Sequence, residues 1–180
     1  MVSVTSVAKV LAGNCPYMVW KEMREPKKES PRLKAWKKQH EELVDFFVRE
    51  FKEAHPEWVV ATEHSIEQDG IVGAIDVLAR GSNNSFEIWE IKTGKEYPYH
   101  REQLRLYLAM EKMRNPDAAI TGMLKYIDRK PYVVDEVDHK KIWEQALRIR
   151  EMLESERPPE RMKCDGCRWC SYHSMLHCPK

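Results

Sequence analysis

From Leu33 to about Glu53, apolar residues recur at helical spacing. Leu33, Trp36, Leu43, Val44, Phe47, Val48 and Phe51 form one stripe of a 3.6-residue period, and "HPEW" ends it. The pattern then turns to strand. "WVVATEHSIE" predicts one strand, "IVGAIDVLA" a second and largely buried one, and "FEIWEIK" a third with clear alternation. The polar run "GSNNS" between the last two predicts a turn. Helical period returns in "YHREQLRLYLAMEKM" and stops at "NPD". "AITGMLKYI" predicts a fourth strand and "PYVVDEV" a short fifth. "HKKIWEQALRIREMLESE" predicts an amphipathic helix with Ile142, Ala146, Ile149 and Leu153 on one face, broken by "RPPE". Before all of these, "REPKKESPR" predicts an exposed loop. The order helix, three strands, helix, strand, helix predicts an α/β or α+β core with a sheet of four or five strands.

Composition narrows this picture only slightly. At 180 residues the chain can bury a real core as one domain. Lys plus Arg is 30 and Asp plus Glu is 29, so net charge says nothing about a nucleic-acid partner, which local patches could still serve. No run approaches the ~18 apolar residues of a membrane span. "MVSVTSVAKVLAGNCPY" lacks the basic and long apolar regions of a signal peptide. The expectation is a cytoplasmic protein with no membrane partner. Thiols stay reduced there, so clustered cysteines favour a metal or cluster over disulfides.

A symmetric "GSNNS" turn would place Arg80 opposite Phe86. Continuing that register puts Asp76 opposite Glu90 and Ala74 opposite Lys92. Glu90 and Lys92 share a face, as do Asp76, Val72, Ala74 and Leu78. Two carboxylates on a mostly apolar face repel and are costly to desolvate. A hard divalent cation such as Mg²⁺ or Mn²⁺ would remove both costs and could activate water against a phosphodiester, with Lys92 orienting or deprotonating that water. The plainer reading is a surface pair salt-bridged by Lys92. His40 sits within the apolar stripe of the first helix, as a core histidine or an added ligand. Gln103 and Tyr107, at i and i+4, share a helix face and could hold a phosphate or fix Lys92, or simply cap the core.

Together "QHEELVDFF", "GAID", "EIWEIKTGK" and "HREQLRLY" resemble the PD-(D/E)XK nuclease superfamily, specifically its RecB-like exonuclease branch. That branch carries a helical His, a G-x-x-D strand, an E-x-K strand and a Q-x-x-x-Y helix in this order. The resemblance implies a central mixed sheet of four to five strands flanked by helices, acting as a metal-dependent DNA exonuclease on single strands or duplex ends. It implies that His40, Asp76, Glu90 and the Ile91 carbonyl bind Mg²⁺ or Mn²⁺. Lys92 would assist the attacking water, and Gln103 and Tyr107 would support the site or the DNA. Many relatives carry Gly four residues before the His, where this chain has Trp36.

"NCPYMVW" and "CRWCSYHSMLHC" extend the resemblance to iron–sulfur members, the CRISPR-associated Cas-four nucleases among them. There one N-terminal and three C-terminal cysteines hold a [4Fe-4S] cluster that joins the two ends. The resemblance implies cluster-binding segments at about 10–25 and 160–180 around a nuclease core at about 32–156. Cys15, Cys167, Cys170 and Cys178 fit that form, although the gap before Cys178 has seven residues where relatives have about five. Cys164 is an alternative ligand, because Cys164, Cys167 and Cys170 are spaced like a ferredoxin run. The four tail cysteines alone are a third set, and tetrahedral zinc is the alternative metal. Implied roles are CRISPR spacer acquisition beside an integrase, or phage and mobile-element recombination with a partner of that pathway. A non-catalytic nucleic-acid-binding module is the other class that keeps this fold.

Overall fold

The computed structural model describes residues 1–25, 30–134, 138–164, 167 and 170. Its elements are β1 (Val2–Ser3), α1 (Val4–Leu11), α2 (Pro16–Arg24), α3 (Pro31–Ala54), β2 (Val59–Gln68), β3 (Ile71–Arg80), β4 (Ser85–Lys92), α4 (Pro98–Arg114), β5 (Ala119–Tyr126), β6 (Tyr132–Val134) and α5 (His139–Glu154). Local chemistry sets several boundaries. The Ser30 hydroxyl accepts the Leu33 N–H and Pro31 occupies the first turn, so α3 starts there. Asp69 and Gly70 both have left-handed φ, at 47° and 73°, and close the β2–β3 hairpin in two residues. Asn83 and Asn84, at φ 62° and 55°, make the β3–β4 turn, a conformation asparagine tolerates well.

Among the described residues the sheet is mixed and has six strands. β2 lies antiparallel along the full length of β3, from Val59 opposite Arg80 to Gln68 opposite Ile71. A strand has two edges, so β1 and β4 must share the other one. β1 pairs in parallel with Ile71 and Val72, while β4 pairs antiparallel with Val77 to Arg80. Residues 73–76 fall in the gap between them. Beyond β4 the sheet continues through parallel β5 to antiparallel β6.

Two cores flank the sheet. On one face α1, α4 and α5 bury Val4, Val7, Leu104, Leu108 and Leu153 against Ile71, Ile75, Ile88 and Leu124. On the other, Val44 and Phe51 of α3 cover Val77, Ala79, Trp89 and Ile91. Burying each such large side chain stabilises the fold by about 1.5–3 kcal/mol.

The hydrophobic core extends ahead of α3, because Val2, Val4, Val7 and Ala8 are fully buried. β1 and α1 were not expected, since two residues of strand carry no readable period and β1 gains its ladder only from distant β3. Alternation along β3 also fails. Ile71 and Ile75 face the α1/α4 core, yet Val77 and Ala79 face α3, and Leu78 packs with the first core. The faces exchange at Asp76, so Leu78 does not share a face with Val72 and Ala74. β2 exchanges its faces in the same way, with Ile66 in the first core and Val60 against α3. Between those two lies Glu63, at φ 48°. Left-handed φ at such a residue costs about 1–3 kcal/mol.

Candidate active site

The gap beside residues 73–76 opens into a cleft of about 590 Å³, lined by His40, Asp76, Glu90, Lys92 and Gln103 among others. The symmetric register holds for Arg80–Phe86 through Val77–Trp89. The ladder then stops, so Asp76 and Glu90 are not a backbone pair and Ala74 does not reach Lys92. At Asp76 a side chain takes over the ladder's role. Asp76 Oδ2 accepts the Ile91 N–H at 2.7 Å. The carbonyl of a strand residue points to the same edge as its N–H, so the Ile91 carbonyl also faces β3.

Asp76 Oδ1 lies 3.3 Å from His40 Nε2, which reaches in from α3. This bond raises the His40 pKa against burial, which lowers it. The Trp36 ring stacks on His40 at 5.7 Å.

Glu90 is only 1% exposed. Its Oε1 accepts a hydrogen bond from Lys92 Nζ, and its Oε2 has no partner among the described residues. Burial pushes the Glu90 carboxyl up to about 7, although Lys92 pulls the other way. Burial alone would lower Lys92, but the charges of Glu90 and Asp76 outweigh it and hold the ammonium above its ordinary range. The site therefore carries more carboxylate than its lysine can balance. An orphaned buried oxygen, a second carboxylate and an imidazole fit a hard divalent cation.

A hydrogen-bond chain links Lys92 to the backbone of β3. Lys92 Nζ donates to Gln103 Oε1 at 3.4 Å, and Gln103 Nε2 donates to the Tyr107 hydroxyl at 3.4 Å. That hydroxyl in turn donates to the Ala74 carbonyl at 2.8 Å, within the gap that lacks a strand. Burial raises the Tyr107 pKa, so the phenol keeps its proton and donates. Gly73 makes room for the ring. A Cβ there would stand 2.7 Å from Tyr107 Cε1.

Two further residues, which the sequence motifs do not mark, line or border the cleft. His100 is buried and its Nδ1 lies 2.8 Å from the Tyr126 hydroxyl. Burial first, and the Lys92 charge second, lower its pKa to about 4, so it stands neutral. Glu63 lies on β2, and its ligand-capable oxygen is within 4.8 Å of those of His40 and Asp76. The Asp-Gly turn at 69–70 contained the signal: a symmetric hairpin about it puts Glu63 opposite Asp76.

The described cysteines do not line this cleft. Buried Cys15 caps α2, and its Sγ accepts the Met162 N–H at 3.3 Å. Cys167 Sγ accepts the Cys164 N–H at 3.1 Å, and the Cys164 and Cys167 sulfurs stand 3.8 Å apart. That spacing is no disulfide, whose sulfurs are ~2.05 Å apart. The Cys170 N–H donates to the Cys167 carbonyl. Cys178 lies outside the described residues. The structure thus brings Cys15 to the tail and Cys164 to Cys167. The two ends also meet without any sulfur: Trp20 Nε1 donates to the Ser155 carbonyl, and Arg24 donates to the carbonyls of Leu153 and Ser155.

Among the described residues no helix is long and apolar enough to cross a membrane. The crystal structure of SSO0001 matches this fold with a TM-score of 0.55 at 21% identity, over 99% of this chain and 85% of that one. Residues 8–175 match the sequence model of the PD-(D/E)XK nuclease superfamily, a span that holds the Asp76, Glu90 and Lys92 strands together with the flanking helices. On that match, the chain belongs to the PD-(D/E)XK nuclease superfamily of metal-dependent nucleases.

Proposed function

We propose that this chain is a divalent-metal-dependent DNA exonuclease acting on single strands or duplex ends. The observation that supports it most is the convergence of His40, Asp76, Glu90 and Lys92 at one break in the sheet, with a buried carboxylate oxygen left unpartnered. His40, Asp76, Glu90 and the Ile91 carbonyl would hold Mg²⁺ or Mn²⁺. When bound, the cation supplies positive charge against the phosphodiester and makes water more acidic. Lys92, steadied by Glu90 and Gln103, donates a hydrogen bond that orients the attacking water. Water forms the new P–O bond, the ester P–O bond breaks, and the leaving sugar oxygen takes up a proton. Gln103 and Tyr107 act behind this, fixing Lys92 and the β3 backbone. A cytoplasmic role in CRISPR spacer acquisition, beside an integrase, or in phage or mobile-element recombination follows from the same reading.

The cysteines would hold a [4Fe-4S] cluster of structural role, through Cys15, Cys167, Cys170 and Cys178 with Cys164 as the alternative. A zinc site is the second reading, and one observation favours it. Two sulfurs each ~2.3 Å from one tetrahedral ion stand about 3.8 Å apart, which is the Cys164–Cys167 spacing.

The test is cleavage of 5′- and 3′-labelled single- and double-stranded DNA with Mn²⁺ by anaerobically purified protein. Lys92→Ala should abolish it, and equal activity in the variant refutes the mechanism. Iron, zinc and acid-labile sulfide contents decide between cluster and zinc. Iron lost with Cys178→Ser but kept with Cys164→Ser supports the first ligand set.

A further inference from the structure

Asp76 stands between two carboxylates on neighbouring strands. Glu90 is on β4, along one edge of β3, and Glu63 is on β2, along the other. The β2–β3 ladder pairs Thr62 with Val77 and His64 with Ile75, which puts Glu63 directly opposite Asp76. Like charges facing each other across antiparallel strands destabilise the pair. No hydrogen bond or ion pair among the described residues relieves Glu63. Its backbone also takes a left-handed φ of 48°, at the point where both strands exchange faces. The same cleft contains the unpartnered Oε2 of Glu90, which is 1% exposed. A repelling pair, a strained backbone and an orphaned acceptor around one cleft have a common solution in bound positive charge.

We propose that Glu63 is a further side-chain ligand for divalent metal in this cleft, completing a His40–Glu63–Asp76 set on the side of Asp76 away from Glu90. This rests on the metal-dependent reading of the cleft above. The ligand-capable atoms of the three residues lie within 4.8 Å of one another, so one cation can contact all of them. The donors are two carboxylates and an imidazole, suited to Mn²⁺ and Mg²⁺. Glu63 is solvent-exposed, so this side of the cleft can take up a cation without the fold opening.

The test is Mn²⁺ titration of the full chain without DNA, read by isothermal calorimetry and by loss of the free-ion electron paramagnetic resonance signal. Glu63→Gln keeps the shape and removes the charge. Glu67→Gln makes the same charge change on the same strand, outside the cleft. The dissociation constant should rise at least about tenfold in Glu63→Gln and stay within about twofold of wild type in Glu67→Gln. Glu63→Asn guards against misfolding, because asparagine accepts left-handed φ. Its melting temperature without metal should equal or exceed wild type, while its Mn²⁺-induced rise in melting temperature shrinks. Unchanged Mn²⁺ binding in both Glu63 variants overturns the role of Glu63 and leaves the metal reading standing. Absence of Mn²⁺ binding in wild type overturns both.

Discussion

Gly73→Ala tests whether Tyr107 holds the cleft-facing segment of β3. The added Cβ would meet Tyr107 Cε1 at 2.7 Å, the Tyr107 hydroxyl at 2.8 Å and Val4 Cγ2 at 3.0 Å. The ring cannot yield cheaply. It is 2% exposed, packed in the core, and tethered by bonds to Ala74 and Gln103. Overpacking of this kind costs about 1–3 kcal/mol. If the ring is pushed off, the Ala74 carbonyl loses its donor where no strand replaces it, adding about 1–3 kcal/mol. The expected loss is therefore roughly 2–6 kcal/mol. For a chain of this size each kcal/mol lowers the melting temperature by about 2–4 °C. Urea denaturation of wild type, Gly73→Ala, Tyr107→Leu and the double variant measures it. Leucine vacates the space that the new methyl needs, so the double variant should be more stable than the summed single losses by at least about 1 kcal/mol. Mn²⁺ affinity should fall in Gly73→Ala under conditions where it remains folded, because Asp76 is two residues beyond Ala74. A Gly73→Ala loss below about 0.5 kcal/mol, or strict additivity in the cycle, refutes the interlock.

The raised Glu90 carboxyl gives a pH dependence with a defined sign. Its pKa moves from 4.5 in the unfolded chain to about 7 in the fold, so folding takes up a proton. Its contribution is fully present below about pH 4.5 and is lost as pH rises through about 7. In EDTA, the urea midpoint of Glu90→Gln should therefore gain on wild type from pH 5 to pH 8, and the opposite trend would contradict this. On the proposed ligand set Mn²⁺ would compete with the same proton, so the Mn²⁺-induced rise in wild-type melting temperature should be larger at pH 8 than at pH 6. At the joined ends, Arg24 lies 4.0 Å over the Trp20 ring and donates to Leu153 and Ser155. Arg24→Ala should cost about 1–2 kcal/mol after discounting its exposure, with the same loss whether or not the cysteines hold a metal. A loss seen only in a metal-loaded form would show that sulfur ligation alone joins the ends.

The parts of the site that sequence made legible are those governed by one element's own period. Gln103 and Tyr107 share a helix face at four-residue spacing, and Glu90 and Lys92 share a strand face at two. Both relations hold in the structure, where Lys92 touches Glu90 and Gln103. The parts that stayed hidden depend on contacts between elements. β1 has two residues and exists only because Ile71 and Val72 pair with it. The face exchange at Asp76 and Glu63 breaks the period that would have been used to read it. Glu63 itself sits in a strand with two other glutamates nearby, and only the hairpin register separates it from them.

The same break accounts for why the motifs depend on one another. A regular β3 paired along both edges would spend the backbone groups of residues 73–76 on a ladder and leave no cleft. Instead the pairing of β3 with β1 ends at Val72 and its pairing with β4 begins at Val77, and side chains fill the interval. Tyr107 satisfies Ala74, and Asp76 satisfies Ile91. Gly73 admits Tyr107, while Gln103 connects Tyr107 to Lys92. The glycine of the G-x-x-D strand and the tyrosine of the Q-x-x-x-Y helix are thus two halves of one contact. Neither half is useful alone: tyrosine without the glycine has no room, and glycine without the tyrosine leaves the Ala74 carbonyl unpaired. That is the physical sense in which several weak sequence signals become a strong one when they occur in series.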